Sequence, residues 1–219
     1  MIKRVIHTAI TLAVLLVSCR QDDLPDSMPT AHEGYVALRF SADIPAMQEV
    51  VTRSVDPDGG GVQDMTLFCF DSYGLFTTTV EAKVTPTGNG AGLTGNFEAE
   101  VPENTRTVHF LANQNMSEFK EDKFRNKSEA EVMALLEGSS GRMIYWARFT
   151  CDPDNDSKID AQMADKGNTI KMIRNHAQVS IDNPINGWIE VTGFVAYNTN
   201  AFGTVAPYHP EKGFDFEWP

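Results

Sequence analysis

From Gly34 onward the chain alternates apolar and polar residues with a period of two, the spacing of strands that bury one face. Tyr35 to Ala42 (Tyr-Val-Ala-Leu-Arg-Phe-Ser-Ala) is such a run, and Pro45 closes it. Met65 to Phe70 (Met-Thr-Leu-Phe-Cys-Phe) is apolar on both faces, which predicts a central strand. Asp71-Ser72-Tyr73-Gly74 carries turn chemistry, and Leu75 to Val80 returns as a second strand. The Gly-rich stretch Gly88 to Gly95 predicts a loop, and Asn96 to Val101 and Thr107 to Leu111 are two more strands around Pro102.

One helix interrupts the series. Ser128 followed by Glu131 forms a capping box, Val132, Leu135 and Leu136 supply an apolar stripe, and Gly138 stops it. Strands then resume at Met143 to Thr150, Thr169 to Ile173, Ala177 to Ile181 and Trp188 to Tyr197. Phe214, Phe216 and Trp218 alternate to the last residue, as an edge strand or as the start of a further domain at 212–219. Short strands separated by turns, with one short helix, predict a mainly β protein, a Greek-key (transthyretin-like) β-sandwich over residues 34–219. A parallel α/β sheet would need helices between most strands.

The N-terminus reads as an address. Lys3 and Arg4 precede 13 mostly apolar residues, Val5 to Val17, too short to span a hydrocarbon core of about 30 Å. That pattern is a secretory signal over residues 1–18. Leu16-Val17-Ser18-Cys19 resembles a bacterial lipobox, which makes Cys19 the lipidated first residue of the mature chain. Acyl chains at about 0.8 kcal/mol per buried CH₂ would anchor it to a membrane. Residues 19–33, with Asp22, Asp23, Pro25, Asp26 and Pro29, form a flexible tether. Arg20-Gln21-Asp22-Asp23 resembles the surface-export signal of Bacteroidota lipoproteins.

Charge narrows the partners. The 18 Lys and Arg stand against 30 Asp and Glu. Loss of the signal takes Lys3 and Arg4 and leaves a net charge of −14. A surface that acidic repels phosphate backbones, so nucleic acid is excluded as a partner class.

The search for chemistry finds little. The five histidines, His7, His32, His109, His176 and His209, are scattered without metal-ligand spacing, and no nucleophile elbow, P-loop or dinucleotide fingerprint follows a strand. His109 lies in an apolar strand and reads as structural, and Glu98 and Glu100 alternate like solvent-facing residues. The expected protein is not an enzyme and needs no cofactor. One candidate site is Asp152, Asp154, Asp156 and Asp160, whose spacing resembles a calcium loop, although Ser157 replaces the turn Gly and Met163 the bidentate Glu. An acidic surface loop is the other reading. Cys69 and Cys151 fit either a disulfide or buried thiols.

Several segments, in order, resemble the fimbrillins of Bacteroidota, lipoprotein precursors of type V pili. They are Arg53-Ser54 in a linker after the first strand, Met65 to Gly74, and Val108-His-Phe-Leu-Ala-Asn-Gln. Ile170 to Ile181 follows, with Gln178 where the family commonly has Lys, and then Val191 to Asn200 with Gly203 to Pro207. The resemblance implies a surface-exposed, lipid-anchored protein of the outer membrane and fimbrium. It also implies that an arginine-specific protease cuts at Arg53, releasing Tyr35 to Ala42, and that a neighbouring subunit adds a donor strand in the opened groove. The usual subunit has a second sandwich domain, which leaves shaft, anchor and tip roles open. The alternative from another class is a tethered β-sandwich that binds glycans, for which Trp146, Trp188 and Trp218 would have to form exposed platforms.

Overall fold

The computed structural model describes residues 31–44, 62–86, 95–139, 143–175 and 202–208, together with Gly193, Val195, Glu211, Gly213 and Phe214. The strands are β1 (Tyr35–Asp43), β2 (Met65–Phe70), β3 (Phe76–Glu81), β4 (Lys83–Pro86), β5 (Gly95–Pro102) and β6 (Thr107–Ala112). After helix α1 (Glu129–Ala134) come β7 (Glu137–Ser139) and β8 (Tyr145–Thr150). Helix α2 (Ile159–Asp165) precedes β9 (Thr169–Lys171), β10 (Ile173–Arg174) and β11 (Phe202–Thr204).

These strands build a β-sandwich. One sheet runs β4-β5-β1-β9, the other β10-β8-β6-β2-β3, and β7 pairs with β11 in a small ribbon. The chain leaves β3 for β4 and β5 in the opposite sheet, then returns as β6 beside β2, a connection of Greek-key type. The turn between β2 and β3 forms as its residues dictate. Asp71 Oδ1 accepts from the Tyr73 and Leu75 amides, and Gly74 takes the positive φ of 71° that a side chain would resist.

Strands β2 and β6 are buried at every position because their sheet is covered on both faces. Leu67, Val108, Phe110 and Tyr145 face the opposite sheet, where Val36, Leu38, Phe40, Phe97 and Val101 meet them. Phe68, Phe70, Leu111 and Trp146 point the other way, under a layer made by Phe124, Val132, Met133, Leu136 and Val205. Helix α1 starts where the capping box predicts: Ser128 Oγ accepts from the Glu131 amide and Glu131 reaches back to the Ser128 amide.

One expectation is corrected, and two features are additions to the sequence reading. Among the described residues a second short helix, α2, occupies part of the segment read as a calcium loop. The strand expected over Thr169 to Ile173 is broken at Met172: β9 pairs with β1 in one sheet and β10 with β8 in the other. Strand β4 follows β3 with only Ala82 between them, a crossing between sheets that alternation alone did not mark. The strands expected at Ala177 to Ile181 and Trp188 to Tyr197, and nearly all of 212–219, lie outside the described residues.

Candidate functional site

Strand β1 is the element on which the sequence reading turns. It lies inside its sheet, antiparallel to β5 from Tyr35↔Pro102 to Ser41↔Asn96 and parallel to β9 from Ser41↔Thr169 to Asp43↔Lys171. Neither neighbour is close in sequence, so β1 is held between them by hydrogen bonds and packing. Its even positions, Val36, Leu38, Phe40 and Ala42, are all buried, and Ile44 continues the row. Phe40 stacks on Phe97 with centroids 5.3 Å apart and meets Phe110 edge-on at 4.9 Å.

The outward positions of β1 carry weaker ties. Arg39 Nε lies 3.3 Å from Glu98, with both side chains about half exposed, a pair of little energetic weight. His32, just before the strand, lies 2.5 Å through Nδ1 from Glu100 Oε2 at the surface. That hydrogen bond raises the His32 pKa and lowers that of Glu100. At the far end Met172 donates to Asp43 O and Ser41 to Asn168 O, each at 2.8 Å. Taking β1 away would open a groove between β5 and β9 lined by alternating apolar pockets. Cys19, Arg53 and Ser54 lie outside the described residues.

Of the four aspartates, Asp152, Asp154 and Asp156 lie exposed on a loop and Asp160 on the helix that follows it. Among the described residues no three His, Cys, Asp or Glu side chains gather where a metal ion could be held. The loop is organised by Gln162 of α2, which is buried. Its Oε1 accepts from the Asp152 amide at 2.8 Å, and its Nε2 donates to the Asn155 and Ser157 carbonyls at 3.0 and 2.9 Å. Asp152 Oδ1 accepts from the Asp154 amide, a local turn bond. Asp160 stands apart from the loop, in the first turn of α2.

His109 is structural, and its partners explain how a buried histidine is tolerated. Trp146 Nε1 donates to His109 Nδ1 at 2.9 Å, which leaves Nε2 protonated to donate to Glu129 Oε1 at 2.6 Å. Arg148 completes the chain, donating from Nε at 2.5 Å and from Nη2 at 3.2 Å to the same carboxylate. Burial pushes the Glu129 pKa up, but the bonds from His109 and Arg148 outweigh it and hold the value at about 2. Burial pulls His109 down and keeps it neutral against the pull of Glu129. Both ring nitrogens are thus engaged, so the pair resembles a catalytic His-Glu couple but has no nitrogen left to serve a nucleophile. The residues lie 20 and 19 positions from Glu129, a spacing with no motif to reveal it.

Cys69 and Cys151 are both buried free thiols, and burial pushes Cys69 up to about 12, far from the thiolate that exchange chemistry needs. Asn113, in the segment Val108 to Gln114, takes a φ of 62°. From there its Oδ1 accepts from the Gln63 amide and its Nδ2 donates to Met143 O. That residue is a joint between loops. An open cleft of about 470 Å³ at the end of β2 is lined by Gln63, Met65, Glu81, Val84, Gln114 and Met116 among others, without convergent catalytic groups.

No family model matches the chain, and no curated protein matches it. Among solved structures, a fimbrial assembly protein from Parabacteroides distasonis is similar over 81% of this chain and 69% of its own, with 12% identity and a TM-score of 0.39. At that identity and TM-score the likeness assigns neither a family nor a role.

Proposed function

We propose that this chain is a surface lipoprotein, anchored through Cys19, that serves as a structural or accessory subunit of a type V pilus and is assembled by protease-triggered donor-strand exchange. One observation carries the reading. Strand β1 supplies an alternating row of core side chains, yet both of its sheet neighbours are remote in sequence. A single cut in the connection between Asp43 and Met65 therefore leaves β1 attached to the sandwich by non-covalent contacts alone. Arg53 lies in that connection. An incoming strand with the same alternation would recover both ladders and the apolar pockets, which is β-augmentation with a vacated site.

The role is structural, with other subunits and the outer membrane as partners and no nucleic acid. The glycan-binding alternative gains nothing from Trp146, which is buried and bonded to His109.

The test is digestion of the purified mature chain with an arginine-specific protease, read by intact mass and oligomeric state. A single cut after Arg53, followed by loss of the first strand or by concentration-dependent polymers, is the expected result. Resistance at Arg53 with a persistently monomeric product would overturn the shaft-subunit role.

A further inference from the structure

One long strand edge of the sandwich, that of β3, is closed by the chain itself. Among the described residues strand β3 ends its sheet, a position that offers a row of main-chain groups to a further strand. Among the described residues the other edges are short: β4 has four residues and carries Pro86, β9 has three and β10 two. At the first residue of β3 and in the turn before it, the segment from Glu121 to Glu129 takes the place of a neighbouring strand. Phe76 N donates to Lys127 O at 2.9 Å, Leu75 and Ser128 form an isolated antiparallel bridge, and Glu129 N donates to Gly74 O at 3.1 Å.

Beyond Lys127 the cover has no backbone to offer, and a side chain takes over. Glu121 Oε1 accepts from the Thr79 amide at 2.8 Å, from Thr78 Oγ1 at 2.5 Å and from Thr79 Oγ1 at 3.4 Å. The segment is seated by Phe124, whose fully buried ring lies 5.5 Å from Phe68 and 5.4 Å from Phe76. Hydrogen bonds from Thr78 and the Thr79 amide hold the Glu121 carboxyl below its ordinary range, in keeping with a charged acceptor.

We propose that the outer edge of β3 is a latent docking surface for the same edge of a second copy of this chain, and that the Glu121 carboxylate is the latch that keeps it shut. The strand suits self-pairing. Thr77, Thr78, Thr79 and Val80 are β-branched and uncharged, so a two-fold antiparallel pairing sets threonines opposite threonines with nothing to repel them. A carboxylate on the edge amide excludes that partner as edge charges do elsewhere, by making the edge costly to approach.

The proposal is independent of the fate of β1, and its test is separate. Amide exchange and light scattering across a wide concentration range would be measured for the intact chain, for Glu121→Ala and for Glu121→Ala combined with Thr79→Pro. In Glu121→Ala the Thr79 amide should exchange roughly tenfold faster at low concentration, the loss of one charge-assisted hydrogen bond. A dimer fraction above that of the parent chain should appear at high concentration. Proline at 79 removes the outward N–H, which donates to Glu121 and not to the ladder with β2, so the double variant should return to the parent's association state. If Glu121→Ala does not fold, Glu121→Gln is read in the same assays. Unchanged Thr79 exchange would show that Glu121 is not the latch. Faster exchange without added dimer, or dimers that survive Thr79→Pro, would show that β3 is not the docking edge.

Discussion

The sandwich has two buried regions on opposite faces of its five-stranded sheet, and they are built on different principles. Between the sheets the contacts are almost wholly apolar, and β1 supplies much of one wall. On the other face an apolar cluster of similar character is crossed by a polar chain, Trp146 to His109 to Glu129 to Arg148, that ties β6 and β8 to helix α1. Hydrophobic burial is non-directional, so a groove of alternating pockets accepts any strand with the right spacing of apolar side chains. A hydrogen-bonded chain accepts only the groups that complete it, because a buried polar group left unpaired is costly. The first region would accept a replacement strand of the same apolar spacing. The second holds the rest of that face in one arrangement.

The strongest way to break this contrast is to empty the inter-sheet core at β1. Phe40→Ala removes a buried ring that touches Phe97 and Phe110, and the expected cost is about 4 kcal/mol, read by denaturant unfolding. The loss should come with faster amide exchange in β1 and β5 and little change in the near-ultraviolet signal of Trp146. A cost under about 1 kcal/mol would mean that β1 does not carry the core.

Next in size is Glu129→Ala, which leaves His109 and Arg148 without their shared acceptor. The expected cost is about 3 kcal/mol, since breaking a buried charge pair strands its partner. The same group predicts acid sensitivity. Glu129 titrates at about 2 in the fold, below its unfolded value, so its stabilisation is complete above the usual carboxylate range and fades as pH falls toward 2. His109 is also depressed, by burial, so the unfolded state begins to take up its proton below about pH 6.5 and stability starts to decline there. The stability gap between the parent chain and Glu129→Gln should be full above about pH 4.5 and should close as pH falls toward 2. A gap that does not change across that window would remove Glu129 from the account.

What the sequence disclosed follows the same division. The apolar periodicity that builds the inter-sheet core could be read directly, because strand alternation and core burial are one pattern in Tyr35 to Ala42, Met65 to Phe70 and Asn96 to Val101. Double-sided burial of β2 was legible for the same reason. The capping box at Ser128 was a local signal and formed as predicted. The polar chain was not legible, since His109, Glu129, Trp146 and Arg148 meet only after folding and their spacings match no motif. Glu121 was hidden likewise, in a segment without apolar periodicity. The order inside the acidic loop was not legible, because aspartate spacing reports available oxygens, while Gln162, which bonds the loop's backbone, lies seven residues beyond Asn155 on a helix.

That loop gives the third test. Gln162→Ala removes one acceptor and two donor bonds from a buried amide, with an expected cost of about 2 kcal/mol. Millimolar calcium should leave the Tm of the parent chain unchanged. A rise in Tm with calcium would return Asp152, Asp154 and Asp156 to consideration as ligands.

The smallest effect sharpens the boundary between the two regions. Ser128 caps α1 through its side chain, and its backbone also ends the cover on β3 through the bridge to Leu75. Ser128→Ala removes only the cap, so about 1 kcal/mol is expected. The bridge uses main-chain groups and should survive. The informative reading is therefore where that 1 kcal/mol falls. If the outer layer is a brace independent of β1, amide exchange should quicken in α1 and near Glu129, and the amides of β1 should keep their protection relative to global unfolding. Equal loosening of β1 and α1 would show instead that the two faces open together, and that the division drawn between an exchangeable wall and a fixed one does not describe this sandwich.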